Sequence, residues 1–186
     1  MRKKEELEKL NRKIKNCKKC SLWKTRKKAV PGEGEICPEI MILGQAPGAK
    51  EDETGRPFVG RAGNFLNQLL KIAKIKRERV FITSPIKCFP PKNRKPTPKE
   101  IKSCSSYLKK QIEILNPSKF ILLGEVAFKI FFPKNKLKDF RGKWVILRQT
   151  QAKKKFFITY HPAAGLRFKK IKKILEKDFN RIKLNH

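Results

Sequence analysis

The sequence predicts a single α/β domain, residues 1–186, built on a mostly parallel sheet. Two observations lead there. Short apolar runs of strand length alternate with longer segments of helical periodicity, the pattern of parallel strands joined by helical crossovers. Three of the runs lead into loops, at 44–60, 84–97 and 160–168, and an open α/β sheet holds its ligands outside the carboxyl ends of its strands. The chain has 186 residues, 39% of them apolar and 13 of them Phe. That is enough for one good core.

Taken in order, residues 3–16 place Leu7, Leu10 and Ile14 at helical spacing and predict a short basic amphipathic helix. It ends at NCKKCSLW. A short buried strand follows over 39–43, then the glycine-rich loop. The stretch MILGQAPGAKEDETGRPFVGRAG holds five of the ten glycines and the consecutive acids Glu51, Asp52 and Glu53. NFLNQLLKIA, 64–73, is helical, with Phe65, Leu69 and Ile72 on one face. A second strand covers 80–83 and enters the Pro-rich basic loop SPIKCFPPKNRKPTP. Thr97, Pro98 and Glu100 form a helix start, with an N-cap, Pro in the first turn and Glu three residues after the cap. This helix runs to about 115 and carries Cys104. A third strand spans 119–123 and ends at Gly124, followed by a short helix over 126–132. Further strands cover 144–147 and 156–159. A basic amphipathic helix over 169–184 completes the fold.

Lys and Arg number 48 against 16 Asp and Glu, a net charge of +32. A field of that sign draws polyanions, and nucleic acid is the first candidate through phosphate neutralisation. Lys enrichment is also a thermophile habit, but Glu usually rises with it, and here it does not. No stretch approaches the roughly 20 apolar residues of a membrane span. The N-terminal segment lacks the apolar run of a secretory signal. The expectation is a cytoplasmic protein, where thiols stay mostly reduced, so five Cys suggest metal or catalysis before disulfides. Cys17 and Cys20 form a CxxC, and Cys88 and Cys104 follow at a C-x15-C spacing. Two pairs fit Zn²⁺ or an iron–sulfur cluster, and spacing does not choose between them. Cys37 stands apart as an ordinary thiol.

GQAPGAKEDETGRPFVGRAG resembles the first signature of the thermophile-type (family 4) uracil-DNA glycosylases, and ITYHPAAGLR is similar to their second. Cys17, Cys20, Cys88 and Cys104 match the positions of that family's [4Fe–4S] ligands, and KCFPPKNRKPTP resembles the segment carrying the third. The resemblance covers roughly residues 13 to 170. It implies a three-layer α/β/α sandwich with a central mostly parallel sheet. It also implies a monofunctional DNA glycosylase that flips out uracil and hydrolyses its N-glycosidic bond, starting base excision repair. The cluster would be structural, tying the N-terminal helix to the Pro-rich loop and the long helix.

The same resemblance assigns residues. Gln45, Ala46 and Pro47 would line the uracil pocket, and Phe58 would stack on the base. His161 would hydrogen-bond uracil O2 as the bond breaks. Glu51 would lie in the uracil site, with Asp52 a second candidate for orienting water or offsetting positive charge on the sugar. The alternative for these acids is a helix-start cluster satisfying loop amides. Glu53 reads as solvated surface. Leu166 is offered as a wedge into the vacated stack, with Arg167 beside it. Lys87, Lys92, Arg94 and Lys95 are candidates for gripping phosphates.

Two departures from the family pattern stand out. Many members carry Glu where this chain has Gln45, and Asn where it has Ser84. An amide donates and accepts at once, whereas a hydroxyl is shorter and less directional. Ser84 therefore suggests a broadened base choice that includes hypoxanthine or xanthine. A DNA-binding Fe–S protein without glycosylase activity is the rival from another class, and a zinc-stabilised RNA-binding module the third reading. The expected partner is DNA containing a deaminated base, met on the prokaryotic nucleoid by a monomer. A sliding clamp and an abasic-site endonuclease are general partners of repair enzymes, but no docking motif for either is legible.

Overall fold

Residues 40–43, 80–83 and 120–123 are buried at every position, on both sides of the sheet, which dictates helices on both faces. The computed structural model, which describes residues 2–149 and 152–182, has that architecture. Along the chain come α1 (Arg2–Lys15), β1 (Glu33–Gly34), β2 (Ile40–Leu43), α2 (Ala49–Thr54), α3 (Arg61–Ile72) and β3 (Val80–Thr83). There follow α4 (Pro98–Leu115), β4 (Lys119–Leu123), α5 (Glu125–Phe131), α6 (Leu137–Phe140), β5 (Trp144–Gln149), β6 (Ala152–Thr159), α7 (Pro162–Arg167) and α8 (Lys169–Ile182). The sheet order is β1-β3-β2-β4-β6-β5. The four inner strands are parallel, and the two edge strands pair antiparallel.

Strand alternation divides the core in two. Met41, Leu43, Phe81, Phe120, Leu122, Phe156 and Ile158 point to the face covered by α1, α4, α5 and α6. Ile40, Ile42, Val80, Ile82, Ile121, Leu123 and Phe157 point to the face covered by α3 and α8. The first core is aromatic: the Phe120 and Phe156 rings stack with centroids 4.8 Å apart, and Phe131 leans on both. Each such pair adds about 1 kcal/mol beyond the area it buries.

The three-layer α/β/α sandwich expected from the sequence is thus the observed fold, and the helix start at Thr97 is as read. Glu100 N–H donates to Thr97 Oγ1 at 3.3 Å, and Thr97 N–H donates to the Glu100 carboxylate at 2.7 Å. Periodicity misses β1, α2, α6 and α7, the last inside the segment 160–168 read as a loop, and it begins the last strand too late: β6 starts at Ala152 and pairs with β5 along a hairpin. Two-residue β1 has no periodicity to read. It exists because Gly34, at φ +131°, lets the chain run against β3, where a Cβ would collide with the Val80 carbonyl oxygen. The last helix is expected to reach 184; residues 183–184 lie outside the described residues.

Candidate active site and cysteine cavity

All four parallel strands end on the same side, and the segments leaving them meet there. Gly44, the first residue after β2, donates its N–H to the Thr83 carbonyl of β3 at 3.0 Å. A Cβ built at Gly44 would fall 2.7 Å from the Phe58 ring and 3.8 Å from His161 Nε2. One built at Gly124, after β4, would fall 3.0 Å from His161 Cβ. The Phe58 and His161 rings stack with centroids 5.6 Å apart, tilted by 28°. The glycine-rich loop, the end of β4 and the start of α7 therefore meet around Phe58 and His161.

Phe58 is put there by strain and by absent side chains. Its φ is +50°, a left-handed conformation that bulky residues avoid. Gly63 is packed so tightly that a Cβ on it would collide with the Phe58 carbonyl group. Glu51 holds the turn. Its Oε1 accepts the N–H groups of Val59 and Gly60, both at 2.8 Å, and its Oε2 accepts that of Gly48 at 3.0 Å. The carboxylate thus starts α2 and fastens the segment that carries Phe58, with one acceptor position left on Oε2. The opposed reading of these acids, a cluster that satisfies loop amides, describes what Glu51 does here.

Glu51→Gln should expose this role. An amide turns an NH₂ against at least one of the three N–H groups, at a cost of about 1–3 kcal/mol. Thermal unfolding should show a fall of several degrees in Tm. An unchanged Tm would overturn the scaffolding role.

Asp52 requires a correction. It is 4% exposed, and both its oxygens accept the Lys27 N–H, at 3.1 and 3.0 Å. It fastens α2 to the segment after the CxxC instead of facing the sugar. Glu53 is exposed and paired with Lys50, as surface should be.

His161 is half-buried and caps the start of α7. Its Nδ1 accepts the Ala163 N–H at 3.2 Å. In the neutral ring the proton then sits on Nε2, the nitrogen on the Gly44 and Phe58 side. Burial pushes its pKa down to about 4, against an upward pull from Glu51. The ring is thus a neutral donor aimed into the pocket. Two residues earlier, the Thr159 hydroxyl donates to Asp178 at 2.7 Å, and Arg141 donates to both Asp178 oxygens at 2.8 and 2.9 Å. Asp178, fully buried on α8, fixes the end of β6 and hence the start of the His161 loop. Sequence reasoning misses it. A lone Asp in a Lys-rich helix is the available signal.

Just beyond β3, Ser84 is 7% exposed and donates its hydroxyl proton to the Ile86 carbonyl at 2.6 Å. It can still accept but has no proton left to give. Gln45 and Ala46 are half-buried and Pro47 is buried, on the segment between Gly44 and α2.

The basic residues of the Pro-rich loop need two more corrections. Lys87 does not grip phosphate. It is 1% exposed, and its Nζ donates to Thr83 Oγ1 at 2.5 Å, Ser84 O at 2.8 Å and Gln111 Oε1 at 2.6 Å. Burial lowers its pKa to about 7. It ties the end of β3 to α4 from inside. Arg94 forks onto the buried Glu100 carboxylate at 2.6 and 2.9 Å, which holds that carboxyl at about 2, so the pair anchors the first turn of α4. Lys92 and Lys95 are exposed, as are Leu166 and Arg167 at the end of α7.

Lys87 also lines a cavity shared by Cys17, Cys20, Cys88 and Cys104 with Ile14, Trp23, Arg26 and Tyr107. All five cysteines are free, and Cys37 lies outside this cavity. Among the described residues no three His, Cys, Asp or Glu side chains close on a single ion. Donors surround the sulfurs: Lys19 N–H reaches Cys17 Sγ at 3.4 Å and Arg26 Nη1 reaches Cys88 Sγ at 3.0 Å. Burial raises Cys104 to about 11 and Cys88 above its ordinary value. Four soft donors, cationic neighbours and an apolar wall suit a metal–sulfur group spread over several atoms.

The family model described as "Uracil DNA glycosylase superfamily" matches residues 31–182. The chain belongs to the uracil DNA glycosylase superfamily. Among its relatives, a type-4 uracil-DNA glycosylase of Sulfurisphaera tokodaii is 45% identical over 183 residues, covering 95% of this chain and 83% of the relative. One from Pyrobaculum aerophilum is 46% identical, covering 93% and 91%. Another, from Thermotoga maritima, is 38% identical, covering 95% and 93%. The family model's span covers the segments that carry Phe58 and His161, and Cys17 and Cys20 precede it.

Proposed function

We propose that this chain is a uracil-DNA glycosylase that hydrolyses the N-glycosidic bond of uracil extruded from DNA, the first step of base excision repair. The observation that carries the reading is His161, whose backbone partner fixes the proton on Nε2 facing Phe58 and Gly44. The flipped base stacks on Phe58 and sets its O2 against Nε2–H. As the bond from C1′ to N1 lengthens, the electron pair moves onto the base, and Nε2–H holds the negative charge on O2. A preorganised donor of this kind contributes about 3–4 kcal/mol to the transition state. Water adds to C1′ of the cationic sugar, and the proton it loses passes to the uracil anion, giving an abasic sugar and neutral uracil. The free acceptor position of Glu51 Oε2 orients it, with Gln45, Ala46 and Pro47 along the wall.

The four cavity cysteines hold a [4Fe–4S] cluster in this reading. Their shared cavity, with Arg26 beside Cys88 and an apolar wall, supports this reading. Bound, it supplies covalent cross-links between α1, the loop after β3, and α4.

Base release from single-uracil oligonucleotides, followed by alkaline cleavage of the abasic product, tests the activity. A second reading concerns base choice and rests on Ser84, which cannot donate to a base edge. Ser84→Asn should raise the preference for uracil over hypoxanthine about tenfold, one well-placed buried hydrogen bond. Identical profiles of uracil, hypoxanthine and xanthine excision in Ser84→Asn and the wild-type chain would exclude that role.

A further inference from the structure

Phe168 is 61% exposed, the most exposed large hydrophobic side chain among the described residues, and Leu166 two positions earlier is 42% exposed. Neither is a floppy tip. The Phe168 N–H donates to the Ala164 carbonyl at 3.0 Å, closing α7, and its own carbonyl accepts the Lys172 N–H at 3.0 Å, opening α8. Beneath them α7 is pinned: a Cβ built at Gly165 would fall 2.7 Å from the Phe65 ring and 2.8 Å from Leu175 Cδ1. The backbone hydrogen bonds and the packed Gly165 thus fix the direction in which two largely exposed apolar side chains leave the protein.

The surroundings name the occupant. Arg167, Lys169 and Lys170 are exposed around the pair, in a chain of net charge +32. A polyanion is drawn to that corner, and a second copy of the same cationic chain is repelled from it. His161 caps the other end of α7, six residues or about 9 Å of helix away. A nucleotide whose base sits on His161 therefore has its parent stack at this corner. Aromatic side chains stack on any base, whatever its sequence.

We propose that Phe168 is a second DNA-contacting side chain, paired with Leu166. Leu166 enters the gap the extruded nucleotide leaves, and Phe168 stacks on the base face uncovered beside it. The pair makes the protein favour a duplex site over the same lesion in a single strand, because only a duplex has an orphaned partner and an interrupted stack to fill. The inference rests on the uracil-DNA glycosylase reading but is testable without turnover.

The experiment measures equilibrium binding of the full chain to a duplex carrying one abasic site and to the single strand of the same sequence. Phe168→Ala should reduce the duplex-to-single-strand affinity ratio about tenfold, and Phe168→Trp should restore it. The fluorescence of the indole introduced by Phe168→Trp, after subtraction of the wild-type signal from Trp23 and Trp144, should be quenched by the duplex as the ring stacks. A ratio unchanged in Phe168→Ala, a parallel loss on both DNAs, or a fluorescence blind to the duplex would each overturn the proposal. So would concentration-dependent dimerisation that Phe168→Ala abolishes. Uracil release by the wild-type chain, measured separately, decides the underlying reading on its own.

Discussion

His161→Ala is expected to lower uracil release about 100- to 1,000-fold in kcat while leaving the fold intact, the usual cost of deleting one preorganised donor to a developing anion. Single-turnover base release is the measurement. A loss below tenfold would show that the charge on O2 is met elsewhere. The pH dependence carries a second signature. Burial holds the imidazole at about 4, so it remains neutral across the working range and enters as a hydrogen-bond donor, never as a general acid. The rate should show no limb near pH 6.5. It should fall only as pH approaches 4, where protonation of Nδ1 destroys the Ala163 contact. Stability follows the same group with a definite sign. A folded pKa below the ordinary 6.5 means that the unfolded chain binds the proton first. Its contribution is complete above pH 6.5 and is lost as pH falls from 6.5 toward 4. His161→Gln should remove that slope from a plot of urea midpoint against pH.

Replacing any one of the four cavity cysteines with Ser is expected to cost about 4 kcal/mol, or roughly 12 °C in Tm, with loss of visible absorbance and of iron and sulfide. The reason is topological. Cys17 and Cys20 follow α1, Cys88 lies beyond β3, and Cys104 sits on α4, so the sulfurs join three segments far apart in sequence. Without a bound group the raised pKa values keep Cys88 and Cys104 as buried thiols that hold nothing together. Cys37→Ser is the control: exposed and outside the cavity, it should change Tm by no more than about 2 °C. Equal effects at Cys37 and Cys104, or zinc in place of iron in the purified chain, would exclude the cluster.

The layers of the fold were legible because strands buried on both faces read as continuous apolar runs, and because Thr97-Pro98-x-Glu100 is a local signal whose geometry needs no tertiary partner. The signature loops were legible as positions, and the structure brings Phe58, His161 and Gly44 together. The roles of charged side chains were not. Lys87 and Arg94 look like every other cation in a chain with 48 of them, and only the fold shows one beneath β3 and the other on Glu100. The same holds for Asp52, whose partner is an amide 25 positions away. Glu51 was half legible. Gly48-x-x-Glu51 is the spacing of a helix-start box, but the N–H groups of Val59 and Gly60 lie eight and nine residues on, beyond any local rule.

The two glycines that frame Phe58 bear on how this pocket can change over generations. A methyl group at Gly44 collides with the aromatic ring, and one at Gly63 with the backbone oxygen behind it. Neither neighbour can move without unseating the other, so single substitutions at these three positions all lead downhill. A lineage that alters the size of the base it accepts has no route through this wall.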